Sequence, residues 1–262
     1  MKKIAVLTAL LFAALQIGYA QKVGLVLSGG GAKGAAHIGV IKALEENGIP
    51  IDYITGTSAG AIVGSLYAMG YTPEEMVELM LSEEFSYWQT GTVENEYKYY
   101  FKRPDPTPEF GHFSIDMTDS LQVKASFLPQ SLINPIQMNQ AFMALFSQAT
   151  AKAGWNFDNL FVPFRCVASD IYSKKAIIFK NGDLGDAVRA SMTFPFFFQP
   201  IWKDSVPIFD GGIYDNFPVG PMKEAFHPDF IFGSTVRLVM FSTLRTNEKP
   251  LEWTPEEARP MS

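Results

Sequence analysis

Ser58 lies at the centre of a pentapeptide with the G-x-S-x-G pattern, made of Gly56, Thr57, Ser58, Ala59 and Gly60. A short strand is predicted directly before this segment and a helix directly after it, so the serine would stand on a sharp, strained turn. Such a turn exposes the hydroxyl beside a helix N-terminus, where it can act as a nucleophile. The alternative is a serine that merely caps a helix between packing glycines. The strand–turn–helix context favours the nucleophile.

Asp210 is the candidate partner for this hydroxyl, because a serine nucleophile needs a group that takes its proton. It follows a predicted apolar strand over residues 206–209 and precedes Gly211 and Gly212. A free aspartate has a pKa of about 3.9, but burial beside aromatic side chains would raise that pKa. The two glycines let the chain turn away and leave room for the serine. A plain turn between strands is the alternative interpretation.

A glycine-rich loop follows the first predicted strand and opens a helix; its residues are Gly29, Gly30, Gly31, Ala32, Lys33 and Gly34. Free amides at a helix start attract negative charge, so the loop could form an oxyanion hole for a tetrahedral intermediate. The same segment matches G-x-G-x-x-G, and Asp52 lies 18 residues beyond Gly34, as in dinucleotide-binding proteins. A tight turn without any ligand is the third possibility.

The histidines bear on the choice between a Ser-Asp dyad and a Ser-Asp-His triad. The chain contains only His37, His112 and His227. His227 follows Asp210, as the triad order requires, but it precedes Pro228 in a predicted surface turn. We therefore expect surface or core histidines and a dyad, with the triad as the alternative.

The elements that would position these residues alternate between strand and helix. Strands are predicted over 23–27, 52–55, 164–169, 176–179, 206–209 and 229–234, and helices over 35–46, from 59 to 70, from 73, from 134 to 148, over 183–191 and after 218. This alternation predicts an α/β fold, a three-layer α/β/α sandwich around a mainly parallel central sheet. Residues 83–131, rich in aromatics and prolines, interrupt it and are interpreted as an insertion or lid.

Composition excludes some classes of protein and suggests an exported one. The formal net charge of −6 gives no support for nucleic-acid binding. Residues 1–20, with two lysines before an apolar run, are typical of a signal peptide. The single cysteine, Cys166, falls in a predicted buried strand and is interpreted as structural. The mature domain is expected over 21–235, followed by an uncertain tail over 236–262.

Taken together, the three motifs resemble the patatin-like phospholipase family. The similarity extends to Val26–Val40, to Arg189–Pro195 and to Asp210–Val219, and it spans roughly residues 22–234. By this resemblance Ser58 attacks an ester carbonyl, Asp210 accepts its proton, and amides of the glycine loop hold the oxyanion.

The resemblance also implies what the protein acts on and where it resides. The substrate would be a lipid or phospholipid, cut through an acyl-enzyme without metal or organic cofactor. Transient contact with a membrane surface is expected. The motifs also closely resemble those of signal-bearing bacterial members, which implies export to the periplasm, outer membrane or medium of a Gram-negative-type bacterium. The open alternatives are a dinucleotide-binding module and an inactive lipid-binding domain on the same fold.

Overall fold

The computed structural model of the protein describes residues 21–92, 112–116, 122–126 and 132–236. The predicted signal peptide and the tail from residue 237 onward lie outside these described residues, as does much of the predicted lid. The described strands are β1 (Val23–Leu27), β2 (Tyr53–Thr57), β3 (His112–Asp116), β4 (Gln122–Ser126), β5 (Phe164–Asp170), β6 (Lys175–Phe179), β7 (Ile201–Lys203), β8 (Val206–Asp210) and β9 (Phe230–Ser234).

The centre of the main sheet is parallel. Its strand order is β7-β8-β5-β2-β1-β9, with β6 paired to β5 as well. The strands β9, β1, β2 and β5 pair in parallel, and β1 is buried along its whole length. A parallel strand covered on both faces must be apolar throughout, which is why Val23–Leu27 lacks alternation. The predicted mainly parallel sheet is confirmed.

The other part of the sheet is antiparallel, which the sequence pattern does not predict. The strand β5 pairs with β6 and with β8 in antiparallel fashion, and β8 pairs with β7. Val167 pairs with the end of β2, and the next residue, Ala168, pairs with Asp210 at the end of β8. The strands β2 and β8 therefore meet end to end along the same side of β5.

Helices cover both faces of this sheet. They are α1 (Ala36–Glu46), α2 (Ala59–Ala68), α3 (Pro73–Leu81), α4 (Glu83–Thr90), α5 (Ile136–Lys152), α6 (Leu184–Ser191) and α7 (Val219–Phe226). The side chain of Ile54 points to α2 at Gly64, whereas the neighbouring Tyr53 stacks on Phe226 of α7. Because successive strand residues point to opposite faces, α2 and α7 lie in different layers. The predicted three-layer arrangement follows.

The segment predicted as a lid begins with regular structure. Ser82 caps α4 by accepting a hydrogen bond from the amide of Phe85, and Trp88 packs edge-on against Phe142 of α5. The strands β3 and β4 form an antiparallel hairpin separate from the main sheet. Residues 93–111, 117–121 and 127–131 lie outside the described residues, so the lid stays a prediction.

Candidate active site

The turn at Ser58 is strained in the manner that an exposed nucleophile requires. Ser58 has φ 54° and ψ −119°, a conformation that favours glycine. A Cβ on Gly56 would collide with the carbonyl of Gly60, and a Cβ on Gly60 would collide with the carbonyl of Leu27. Gly56 and Gly60 must therefore lack a side chain, because backbone atoms pack closely against them. The Ser58 carbonyl accepts the first hydrogen bonds of α2, from Ala61 at 2.9 Å and Ile62 at 3.1 Å.

Ser191, at the end of α6, holds the backbone of this turn. The amide of Ser58 donates a hydrogen bond to Ser191 Oγ at 2.9 Å, and the Ser191 hydroxyl donates to the Val167 carbonyl at 2.6 Å. The first bond is partly buried and the second is fully buried, and the Ser191 hydroxyl satisfies both neighbours in a single orientation. Thr57, one residue earlier, donates its hydroxyl to the carbonyl of Asp215 at 2.9 Å. The turn is thus tied to β5 and to the loop after β8.

Asp210 is buried and lies where β8 meets β2. Its amide donates to the Thr193 carbonyl at 2.8 Å, and its Oδ1 accepts the amide of Gly212 at 2.7 Å. Burial raises the pKa of Asp210, while side-chain hydrogen bonding with Ser58 and the Gly212 amide oppose that rise. Ser58 directly follows β2 and Asp210 ends β8, so the two residues lie at the junction of these strands and line one cavity. Gly211 must lack a side chain, because a Cβ there would collide with the Val167 carbonyl.

The glycine-rich loop contributes free amides beside Ser58. Residues Gly31–Ala35 form a 3-10 helix capped by Gly30, and the amides of Gly30, Gly31 and Ala32 have no hydrogen-bond partner among the described residues. The amide of Gly29 is different, since it donates to the Asn216 carbonyl at 3.1 Å. The Gly29 amide is therefore already occupied and does not fit the predicted role of donor in the oxyanion hole.

Other loop residues have packing roles. A Cβ on Gly29 would press on Asn216 and, at 3.1 Å, on the Cβ of Ser58, and a Cβ on Gly34 would collide with that of Ala59. Lys33 is exposed and does not line the cavity beside Ser58.

Ser58 and Asp210 open into a cavity of about 840 Å³. The glycine loop and Gly212 form its polar end. Its remaining walls are largely apolar and come from α2, α3, α4, α5 and the segment after α6, including Ile62, Met80, Phe85, Trp88, Ile133, Met138, Phe142, Met192, Phe194, Phe197 and Phe198. Such walls suit a long hydrocarbon chain.

Several residues considered from the sequence lie elsewhere. Asp52 precedes β2, accepts the amide of Val23 at 2.8 Å and pairs with Lys22. It therefore lies at the opposite end of the parallel strands from the glycine loop, where a dinucleotide-binding acid would not reach the ribose. Arg189 is buried and bonds Asn139, Thr193 and the Gln199 carbonyl, so it joins α5 to the segment after α6.

The histidines whose side chains are described do not line the cavity. His37 is buried between the Ser234 hydroxyl, at 2.7 Å, and the Ser28 carbonyl, at 2.9 Å. His227 is exposed at the end of α7. No histidine is among the described residues that line the cavity. Cys166 is fully buried, and this burial raises the pKa of its thiol, in keeping with a structural role.

Sequence reasoning did not assign roles to Ser191 and Asn216. The carbonyl and side chain of Asn216 both contact Gly29, and Asn216 lines the cavity. Both residues lie within the segments that carry the family resemblance, so a signal was present. Their hydrogen bonds, however, join elements that are distant in the sequence and depend on the folded chain.

Two further searches concern metals and membranes. In the described part of the chain, no group of three or more His, Cys, Asp or Glu side chains is placed to hold a metal ion. Within residues 21–92 and 132–236, and in the two short strands between them, no helix is long and apolar enough to cross a membrane.

The fold and the site define an α/β protein with an elbow serine facing an acid and an apolar cavity. Residues 25–223 match the family described as patatin-like phospholipase, and the chain belongs to that family. The solved structure of VipD from Legionella pneumophila has a TM-score of 0.50 over 81% of this chain and 49% of that chain, at 17% identity. This similarity concerns the fold.

Curated relatives come from fungi and a nematode. The chain is 31% identical over 217 residues to lysophospholipase NTE1 of Pyricularia oryzae, covering 82% of this chain and 12% of that protein. It is 29% identical over 203 residues to a patatin-like phospholipase domain-containing protein of Caenorhabditis elegans, covering 77% and 12%. The chain thus spans about an eighth of the length of these relatives.

These relatives correct one expectation. Export to the periplasm, outer membrane or medium of a Gram-negative-type bacterium was expected from the signal-peptide pattern of residues 1–20 and from a likeness to bacterial members. The prediction is wrong, because the matched lysophospholipases belong to eukaryotes, which have neither a periplasm nor a bacterial outer membrane.

Proposed function

We propose that the protein is a serine esterase that hydrolyses acyl esters of lipids, as a phospholipase A or lysophospholipase. The observation that carries this proposal is that Ser58 and Asp210 line the polar end of one apolar cavity, where β2 and β8 end against neighbouring residues of β5. The reactive ester would lie beside the glycine loop, and the acyl chain would occupy the apolar walls. The lysophospholipase relatives support this class of substrate.

In the proposed first half-reaction, Ser58 Oγ attacks the ester carbonyl carbon while the Asp210 carboxylate accepts its proton. The carbonyl oxygen becomes an oxyanion, which the free amides of Gly30, Gly31 and Ala32 would stabilise. Collapse of the tetrahedral intermediate breaks the bond to the alcohol. The departing alcohol takes the proton from Asp210, and the acyl group stays on Ser58 as an ester.

In the second half-reaction, water attacks the acyl ester and gives a proton to Asp210. The fatty acid leaves and Ser58 Oγ recovers its proton, so the cycle consumes one water and needs no metal or organic cofactor. Burial supports Asp210 as the base, because its raised pKa increases the proton affinity of the carboxylate.

Labelling by a fluorophosphonate tests this proposal and separates it from an inactive lipid-binding domain. We expect covalent labelling at Ser58, none in Ser58→Ala, and a rate at least about a hundredfold lower in Asp210→Asn, the usual scale for loss of a general base. Thermal unfolding of each variant serves as the control for folding. A folded wild-type chain that resists labelling would be an inactive domain.

A further inference from the structure

Exposed apolar side chains lie beside the cavity, on the segments before α5 and after α6. We call them the phenylalanine rim: Leu132 and Ile136, before and at the start of α5, with Phe194, Phe196 and Phe197 after α6. Their exposed fractions are 49, 55, 49, 70 and 44%. The two segments are joined, because the amides of Leu132 and Ile133 donate to the carbonyls of Phe196 and Phe197, both at 2.9 Å.

The rim is continuous with the cavity rather than a separate surface. Phe194 and Phe197 line the cavity and pack edge-on, with ring centroids 5.6 Å apart. Ile133, next to Leu132, lines it too. An acyl chain that moves from a lipid layer across the phenylalanine rim would therefore reach the cavity walls along apolar side chains only.

Phe196 is held outward at a conformational cost. Its φ of 69° is a true outlier for a bulky residue, and its ring is the most exposed of the rim. The carbonyl of Phe196 accepts the hydrogen bond from the amide of Leu132, which ties this backbone to the segment before α5. Strain of this kind marks functional segments.

The absence of charge indicates the kind of partner. Residues 132–151 and 190–202 contain no Asp, Glu, Lys or Arg, and the whole chain is acidic. A surface that binds anionic lipid headgroups or an acidic protein carries Lys or Arg, which these segments lack. An uncharged aromatic rim instead fits the interface of a zwitterionic lipid layer.

We infer that the phenylalanine rim docks the protein on zwitterionic membranes or micelles and seats the cavity mouth against the lipid surface. This inference rests on the proposed function for the choice of a lipid partner. It names the surface that contacts the lipid and the type of headgroup. Docking is driven by apolar burial and does not require anionic lipid.

The test is flotation of the Ser58→Ala protein with phosphatidylcholine vesicles, so that binding is measured without hydrolysis. We expect binding that persists at high salt and that falls roughly tenfold or more in Phe196→Asn, the scale for losing one buried ring. Asparagine tolerates positive φ, so this variant should fold at least as well as its parent. A matched control is Phe161→Asn, since Phe161 is 75% exposed but precedes β5, at the other end of the parallel strands.

The following outcomes overturn the inference, apart from the last, which concerns only the proposed function. Unchanged binding in Phe196→Asn would place the docking surface elsewhere. Binding only to anionic vesicles at low salt would show that electrostatic attraction, and not apolar burial, drives docking. Self-association that Phe196→Asn abolishes, without vesicle binding, assigns the rim to a second copy of the chain. Labelling of the wild type at Ser58 without vesicle binding would refute only the docking inference. Vesicle binding without labelling would refute only the proposed esterase activity.

Discussion

The amide of Ser58 donates a 2.9 Å hydrogen bond to the hydroxyl of Ser191, which in turn donates to the Val167 carbonyl. One side chain thus connects the elbow to the middle strand of the sheet at the point where β8 brings in Asp210. Ser191 is a positioning residue in the proposed mechanism, because it contacts the backbone of the nucleophile and not the substrate.

We predict that Ser191→Ala slows fluorophosphonate labelling about tenfold and lowers the free energy of unfolding by about 1 to 3 kcal/mol, since the partly buried amide of Ser58 and the buried carbonyl of Val167 each lose a partner. The matched control is Ser65→Ala. Ser65 is buried in α2 and bonds only the Ile62 carbonyl of its own helix. The Ser65→Ala substitution should leave the labelling rate unchanged. An unchanged rate in Ser191→Ala would rule out the positioning role.

Replacement of Ser58 should reveal the strain of the elbow. Glycine adopts φ 54° and ψ −119° freely, whereas alanine does not. We expect Ser58→Gly to be more stable than Ser58→Ala by about 1 kcal/mol in urea unfolding. Ala61→Gly, in the following helix, should instead be less stable than its parent, because glycine costs about 1 kcal/mol in a helix. Equal stability of the two Ser58 variants would contradict a strained elbow.

The pH dependence of labelling should report Asp210. Burial raises the pKa of this carboxyl, and the proposed base must be ionised. The labelling rate should therefore fall on acidification through an apparent pKa above 3.8, the ordinary value for an aspartate. His227→Gln should leave this profile unchanged, because His227 is exposed and away from the cavity. A profile that shifts in His227→Gln would favour a triad.

His37 should make stability depend on pH. Burial lowers the pKa of His37, and the weaker effect of its hydrogen bond to Ser28 opposes this. The folded state therefore holds the ring neutral, while the unfolded state protonates it near 6.5, the ordinary pKa of a histidine. Stability from this site is complete above that pH and decreases as the pH falls below it toward the lowered folded value.

Urea unfolding of wild type and His37→Gln at several pH values checks this effect. The variant should be less stable near neutrality, because the link between Ser28 and Ser234 is weakened. Its stability should decrease less on acidification below 6.5 than that of the wild type. His227→Gln is the control, since His227 is exposed and lies outside the buried link between Ser28 and Ser234. Parallel pH curves for wild type and His37→Gln would refute the prediction.

The elements with local signals could be predicted from the sequence. The apolar run of β1, the capping of α3 by Thr72 before Pro73, and the glycines around Ser58 depend on neighbours in the chain. The strand β7 could not be predicted, because three residues after a proline carry too little periodicity. The antiparallel pairing of β8 could not be predicted either, since strand direction is set by long-range packing and not by local pattern.

The same division holds for the site. The sequence by itself determined which residues are chemically competent: a serine between glycines, an aspartate before two glycines, and a loop rich in free amides. Only the tertiary structure decided that Ser58 and Asp210 line one cavity, because β2 and β8 end against adjacent residues of β5. It also decided that Gly29 is not a donor, since the partner of its amide is the distant carbonyl of Asn216. Contacts of this kind depend on how strands pair across the sheet, which the types of neighbouring residues do not encode.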